Sequence, residues 1–329
     1  MALLIVFAAT AAPVPAAGVE FRGHAGPGKG KRIVLIAADD EYHSEEMLPQ
    51  LAKILAEHQG FNCTVLFSIN PSDGTIDPHQ RSNIPGLEAL EKADLLIVFT
   101  RFRDLPDDQM KRIVDYVESG RPVIGIRTAT HAFAIAANQT NARYSWNSKM
   151  EGWEGGFGRR VLGETWVAHH GDHGKQSTRA VIVPGQEKNP ILRGIGEDIW
   201  VPTDVYEVRL PLPETCRPLL LGQVLSGMQP NDPPVAGKPN DPMLPVAWTN
   251  AYTGALGKTS RVFTTTMGSA DDFSNEAFRR LLVNAAFWAA GLEAKIPAKA
   301  DVRIVGAYQP RSFLDEDYTK GIHPADLAK

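Results

Sequence analysis

The sequence has few cysteines and no long run of one charge sign. Only two of its 329 residues are cysteines, Cys63 and Cys216. No Cys-x-x-Cys pair and no zinc-finger spacing occurs, which argues against a disulfide-rich scaffold and against a zinc finger. The sequence leaves open whether the two cysteines pair or remain buried thiols. Basic residues number 34 and acidic residues 38, for a net charge of −4, so nothing supports a nucleic-acid partner.

Internal repeats and low-complexity segments are also absent, and the remaining composition is that of an ordinary soluble protein. Hydrophobic residues make up 43% of the chain and charged residues 22%, which excludes disordered and collagen-like classes. The length suits one large domain or two medium ones, with enough chain to bury a sizeable core.

The N-terminus departs from this composition. Met1 to Ala12 is almost wholly apolar, and small residues follow up to Ala17. The run is too short to span a bilayer, and the small residues suit signal-peptidase cleavage. We predict a signal peptide at residues 1–17 and an exported protein, periplasmic or secreted, with no membrane partner after cleavage. Because Lys and Arg are missing before the apolar run, a cytoplasmic chain with an apolar N-terminus is the alternative.

Residues 18–31 are rich in glycine and are predicted to be a linker, and a regular alternation follows them. Continuous apolar runs predict buried strands at 33–38, 63–67, 95–99 and 122–126. Helical spacing predicts helices from Ser44, which suits an N-cap, and between Asp104 and Ser119. The alternation predicts a parallel sheet with helices on both faces and ligands at the carboxyl ends of its strands.

The second half is less periodic. Strands are predicted near 178–183, 205–210, 218–223, 246–249 and 261–266, and a helix from Asn275 to Gly291. Residues 293–329 form a tail with one strand-like stretch, 302–306. An aromatic, glycine-rich part of this half is expected to cover the strand ends as a lid.

The densest group of titratable side chains lies in residues 166–174, WVAHHGDHG, which hold His169, His170 and His173 beside Asp172. Imidazole is the commonest metal ligand and titrates near neutral pH. The order HHGDH does not match HExxH, and its flanking glycines disfavour a helix. These residues are therefore predicted either as acid–base groups or as ligands of a divalent metal; no other cofactor is indicated. A surface loop of structural histidines is the alternative.

Polar side chains also follow three predicted parallel strands, and such strand ends meet at one edge of the sheet. They are Tyr42, His43, Arg101, Arg103, Arg127 and His131. A guanidinium at such an edge can hold a carboxylate, an enolate or a hydroxyl pair, although exposed salt bridges are the simpler interpretation. Arg127 follows a strand ending in Gly125-Ile126, where a nucleophile elbow would carry its nucleophile. A guanidinium cannot take that role, so acyl-enzyme chemistry is excluded there.

Several stretches together resemble one family. They are Glu41-Tyr42-His43, ESGRPVIGIRTATHAF at 118–133, PVAWT at 245–249, GKTSRVFTTTMG at 257–268 and LVNAAFWAAG at 282–291. In these motifs the chain resembles the trehalose-utilisation (ThuA-like) family over roughly residues 30–292. WVAHHGDHG, VPTDVYEV and FTTTMGSADD are similar to stretches of exported members from planctomycete-type bacteria.

The resemblance implies a fold and a metabolic role. The fold is a flavodoxin-like, class I glutamine amidotransferase-like three-layer α/β sandwich with a mostly parallel central sheet, here at residues 32–292. The role is disaccharide catabolism, including sugars oxidised to 3-keto forms. Glutaminase activity is not expected, since the catalytic cysteine of that superfamily is absent. Two positions depart from the family: Arg127 stands where many relatives have His, and Gly268-Ser269-Ala270-Asp271 where many have Gly-His-Asp.

We therefore predict an enzyme that isomerises, cleaves by elimination or hydrolyses a disaccharide or keto-sugar. His43, His131 and the three clustered histidines would be its acid–base or metal-binding groups, and Asp172 would orient an imidazole. The substrate would be held by Tyr42, Arg101, Arg103, Arg127, Trp146, Trp153, Trp166, Glu207 and Asp271. The alternatives are a non-catalytic carbohydrate-binding or scaffolding protein and a metal-dependent hydrolase of another substrate. A homo-oligomer is compatible with the sequence.

Overall fold

A ten-stranded sheet forms the centre of the protein in the computed structural model, which describes residues 17–196 and 199–328. The predicted signal peptide lies, apart from Ala17, outside the described residues. Within the described ranges, no helix is long and apolar enough to cross a membrane.

The helices are α1 (Ser44–Glu57), α2 (Asp107–Glu118) and α3 (Glu276–Ala289). The strands of the first half are β1 (Gly18–Phe21), β2 (Arg32–Ala38), β3 (Asn62–Phe67), β4 (Leu95–Thr100) and β5 (Val123–Ile126). Those of the second half are β6 (Ala168–His169), β7 (Thr178–Ile182), β8 (Trp200–Val201), β9 (Tyr206–Glu207), β10 (Arg217–Val224), β11 (Leu244–Thr253) and β12 (Thr259–Thr265).

The strand order in the sheet is β1-β3-β2-β4-β5-β12-β11-β10-β7-β8, and β6 pairs with β9 in a separate ribbon. The adjacent strands β3, β2, β4, β5 and β12 are parallel. Antiparallel strands extend the sheet on both sides, β1 at one edge and β11, β10, β7 and β8 at the other. The predicted α/β fold with a parallel centre is confirmed, and the strands of the second half, apart from β6 and β9, continue that sheet.

The core lies on both faces of the sheet. Alternate residues of β2 point to opposite faces, so Ile33 and Leu35 pack in the cluster that contains α1 and α3, while Val34 and Ile36 pack in the cluster that contains α2. Burial on both faces explains why the strand is apolar throughout. The result is the three-layer arrangement predicted from the sequence.

Two terminal segments differ from prediction. Within the predicted linker, Gly18–Phe21 pairs with β3 and buries Val19, because β3 would otherwise present an unpaired edge. In the tail, the strand-like stretch 302–306 forms no strand. Its Val302 carbonyl instead accepts a hydrogen bond from Arg279 Nε at 2.8 Å.

Cys63 and Cys216 are both buried free thiols, which settles the alternative that the sequence left open.

Candidate functional site

The carboxyl ends of β2, β4 and β5 meet the β6–β9 ribbon, and this junction collects some of the polar side chains predicted from the sequence. The loop after β2 is held by Asp39, whose carboxylate accepts the backbone N–H groups of Glu41 and Tyr42. Thr128 Oγ1 donates to the same carboxylate at 2.6 Å. Burial, with Asp40 nearby, raises the pKa of Asp39 to about 6. These bonds fix the positions of Glu41 and Tyr42.

Asp204 is the centre of the junction, and its side chain is fully buried. Its Oδ2 accepts from His169 Nδ1 at 2.8 Å, and its Oδ1 lies 3.3 Å from His173 Nδ1 and accepts from Arg127 Nη2 at 2.7 Å. Burial alone would raise the pKa of Asp204, but Arg127 and the two imidazoles hold it well below its usual range. An ionised carboxylate only accepts hydrogen bonds, so Nδ1 carries the proton in both rings. In the neutral form of either ring, the lone pair is therefore on Nε2.

The imidazoles of His169 and His173 are partly exposed to solvent. Each side chain is 33% exposed, and the two ring centroids are 4.8 Å apart. A bound molecule therefore has access to both rings, while the carboxylate that orients them is sealed from water.

Arg127 lies behind Asp204 and is also fully buried. Its Nη1 donates to the carbonyls of Asp204 and Thr266, both at 2.7 Å, and its Nη2 donates to Tyr42 Oη at 3.1 Å. The guanidinium carbon lies 3.7 Å from the ring centroid of Tyr206. Its backbone φ of 48° is the left-handed conformation of an elbow residue. The sequence predicts substrate binding here; the structure encloses the guanidinium, which positions Asp204.

Half-buried aromatic rings continue the exposed side of the site. We call Phe102, Trp146 and Trp166 the aromatic wall. The ring centroids of Trp146 and Trp166 are 6.1 Å apart, and Trp166 lies 6.1 Å from His169. Phe102 lies 5.5 Å from Trp146. These rings offer apolar faces of the kind that stack on the C–H face of a sugar.

His131, predicted as an acid–base group, lies beneath this wall and is buried. Its ring is 4.9 Å from Phe102 and 5.0 Å from Trp166. Burial, together with the positive charges of Arg101 and Arg127, lowers the pKa of His131 well below its usual value. It is therefore a neutral imidazole that packs under the wall.

The two arginines after β4 have different surroundings. Arg101 is 26% exposed and pairs with Asp40 at 3.1 Å and with Glu41 at 2.8 Å, so it lies at the site. Arg103 is fully buried and donates to the Pro78 carbonyl at 2.8 Å. Arg103 therefore holds neighbouring backbone and has no exposed face for a substrate.

His43 binds the C-terminal tail. Its Nδ1 lies 3.2 Å from Glu45 Oε1, and its Nε2 donates to the carbonyls of Asp315 at 2.9 Å and Ser312 at 3.2 Å. Burial alone would lower the pKa of His43, but Glu45 and its other partners raise it to about 9. The predicted N-cap Ser44 is instead the first residue of α1, and His43 precedes it with a φ of 54°. Both ring nitrogens of His43 therefore have partners other than Asp204.

Replacing His43 with Ala should release the tail around residues 312–315. Hydrogen bonds from a charged group contribute about 1.5–3 kcal/mol, which corresponds to local opening that is about ten to a hundred times more frequent. Hydrogen exchange followed by mass spectrometry measures this at the tail. The exposed His24 gives a matched control, His24→Ala, and equal exchange in both variants would contradict the assigned contact.

Residues 166–174, which we call the histidine loop, contain two further predicted site residues, and both have contacts with other groups. His170 Nε2 bonds to the Pro239 carbonyl at 2.9 Å. Asp172 is exposed, and its backbone N–H donates to Gln176. The sequence predicts that Asp172 orients an imidazole. In the structure Asp204 has this role, because the Nδ1 atoms of His169 and His173 both lie within hydrogen-bonding distance of its carboxylate.

Three further predicted residues also have contacts elsewhere. Trp153 packs on Tyr144 with ring centroids 4.7 Å apart. Glu207 is exposed on β9, on the opposite face from its neighbour Tyr206. Asp271 accepts from Ser269 Oγ at 2.5 Å. None of these contacts involves His169 or His173.

Two groups of side chains among the described residues have ligand atoms close enough to hold a metal ion. In one, atoms of Glu41, His169 and His173 all lie within 4.8 Å of one another. In the other, His43 stands with Glu45 and Glu46, but both nitrogens of its ring already have partners. The first group is therefore the better candidate for a metal centre.

Comparisons with known proteins give a family match and similar solved structures. A family model described as trehalose utilisation (ThuA) matches residues 34–289. A ThuA-like protein of Parabacteroides merdae is 15% identical with a TM-score of 0.48, covering 80% of this chain and 90% of its own. One of Bacteroides uniformis is 16% identical with a TM-score of 0.48, covering 82% and 95%. No curated protein gives a significant match.

Proposed function

The chain belongs to the trehalose-utilisation (ThuA) family, and on this premise we propose that it is an enzyme acting on a disaccharide or its keto form. The observation that carries the proposal is the pair His169 and His173, which share one buried carboxylate, Asp204, and remain open to solvent. Such an arrangement fixes the tautomer of each ring and leaves Nε2 for chemistry.

Proton transfer next to a carbonyl is the chemistry that this geometry supports best. One imidazole would remove the proton from the carbon beside the keto group, and the other would return a proton to oxygen or to a neighbouring carbon. The ring separation of 4.8 Å lets both reach one sugar ring. Arg101, at the edge of the site, would stabilise the enolate oxygen. Reprotonation at carbon gives isomerisation. Elimination results when the enolate instead expels the glycosidic oxygen from the next carbon and the second imidazole protonates that leaving oxygen.

The aromatic wall supports a saccharide as the substrate. Trp146 and Trp166 are half-buried, so each keeps part of a ring face available beside His169. Stacking on such faces suits a neutral, hydroxyl-rich ligand with apolar C–H surfaces. The net charge of −4 favours a neutral ligand over a polyanion.

Replacing His169 or His173 with Ala should lower kcat by about 10²–10⁴-fold, the usual contribution of a positioned acid or base. The assay is product formation from a panel of disaccharides and their 3-keto derivatives, followed by chromatography and mass spectrometry. His170→Ala is the matched comparison, because His170 is in the same loop but bonds to Pro239. Full turnover in His169→Ala and His173→Ala would refute the proposed roles.

A non-catalytic carbohydrate-binding protein is the second candidate. It is favoured by Arg127 and Ser269, which stand where many relatives have histidine, and by the complete enclosure of Arg127. The aromatic wall would serve such a protein equally well. Calorimetry that detects saccharide binding, with no product formed across the same panel, would select this candidate.

A further inference from the structure

We propose that Glu41, His169 and His173 bind one divalent transition-metal ion of the zinc type; this rests on the proposed function because it concerns the same site. The set differs from the predicted one, His169, His170 and His173. His170 bonds to the Pro239 carbonyl, and Glu41 comes from the loop after β2, more than a hundred residues earlier in the chain.

The surroundings of the two imidazoles are those of metal ligands. Metal-binding histidines usually donate their second ring N–H to a carboxylate or carbonyl, which fixes the tautomer and strengthens the ligand. Here both rings present Nδ1 to Asp204, at 2.8 and 3.3 Å. Arg127 holds Asp204 from behind at 2.7 Å, so the carboxylate cannot turn to the ion itself. The Nε2 atoms of both rings are left for coordination.

Glu41 supplies the third ligand. Arg101 Nε lies 2.8 Å from Oε2 of Glu41, which leaves Oε1 for a metal, and Asp39 holds the backbone of Glu41. One nitrogen of each ring and one carboxylate oxygen of Glu41 lie within 4.8 Å of one another, whereas atoms around a tetrahedral zinc ion are about 3.4 Å apart. Small side-chain rotations close this difference, since the rings and Glu41 are partly exposed.

The donor set selects the class of ion. Two imidazole nitrogens and one carboxylate disfavour Ca²⁺ and Mg²⁺, which prefer oxygen ligands, and favour zinc and related first-row ions. Three protein ligands with a fourth position open to solvent are typical of catalytic zinc sites. A bound ion would take up the Nε2 lone pairs, so in the metal-loaded protein the two imidazoles would be ligands and not the acid and base. The ion would then polarise a sugar carbonyl or lower the pKa of a bound water, and that water would transfer the proton.

Zn²⁺ titration of the chelator-treated full chain tests the site. We expect one ion per chain by calorimetry and elemental analysis, and a tetrahedral absorption spectrum when Co²⁺ replaces Zn²⁺. His169→Ala, His173→Ala and the isosteric Glu41→Gln should each weaken binding by about a hundredfold or more, whereas His170→Ala should bind as the unmodified protein does. Circular dichroism and thermal melts confirm that each variant folds.

Three results would overturn the metal site: no stoichiometric Zn²⁺, equal affinity in His169→Ala, or an equal loss in His170→Ala. The same variants separate this proposal from the proposed function. Turnover that persists in metal-free protein and falls in His169→Ala would retain the enzyme and reject the metal. Stoichiometric Zn²⁺ binding without any saccharide turnover would retain the metal site and reject the saccharide enzyme.

Discussion

Replacing Arg127 with Met is expected to lower the free energy of unfolding by about 3–5 kcal/mol, the usual effect of removing one partner of a buried ion pair. Asp204, whose side chain has no exposed surface, would keep its charge without its main partner. The variant would also lose four hydrogen bonds, two of them to backbone carbonyls. The contact of the guanidinium with the Tyr206 ring, 3.7 Å from its centroid, adds to the loss.

Urea unfolding of four variants measures this effect: Arg127→Met, Arg127→Lys, Asp204→Asn and the double variant. Arg127→Lys keeps the charge but cannot make four hydrogen bonds in a fixed plane, so it should also be destabilised. The double variant Arg127→Met with Asp204→Asn removes both charges and should lose less stability than the sum of the single changes, as contacting pairs do. Additive losses would show that the ion pair does not hold this part of the fold.

The fold was predictable where the sequence is periodic. Four apolar runs separated by helical patterns predict the parallel centre of the sheet, because a strand buried on both faces must be apolar at nearly every position. The sequence predicts a linker at Gly18–Phe21 because residues 18–31 are rich in glycine. The segment is a strand because its backbone pairs with β3, and two apolar residues, Val19 and Phe21, are too few to indicate this. The structure of the tail could not be predicted either. Its backbone carbonyls accept hydrogen bonds from side chains such as His43 and Arg279, and such bonds leave no pattern in the tail's own side chains.

The site was predictable only in part. The strand-end rule indicates the loop after β2 and Arg101, and the density of imidazoles indicates His169 and His173. Asp204 was missed because it lies 35 residues from His169, in a stretch with no spacing motif. The role of Asp204 follows from its contacts with Arg127, His169 and His173. Those contacts form only when the β6–β9 ribbon has folded. Arg127 was predicted at the site because sequence cannot tell a strand-end arginine that faces solvent from one enclosed by the ribbon.

Replacing Asp204 with Asn should lower turnover by between about tenfold and 10⁴-fold, the range seen when a carboxylate that orients a histidine is lost. Arg127 Nη2 donates to Oδ1, so it would hold the amide oxygen there and place the NH₂ group opposite His169 Nδ1. Two donors would then face each other, and the ring would shift its proton to Nε2 to relieve the conflict. His169 would lose the Nε2 lone pair that both proton abstraction and metal binding require.

Proton NMR of imidazole labelled with ¹⁵N detects this tautomer change directly, beside kcat measured on the substrate found in the panel. Asp172→Asn decides between the carboxylate predicted from the sequence and the one found in the structure, since Asp172 lies in the histidine loop but is exposed. A loss in Asp172→Asn equal to that in Asp204→Asn would favour Asp172. A loss confined to Asp204→Asn, with His169 protonated on Nε2, would establish that the buried carboxylate sets the tautomer of His169.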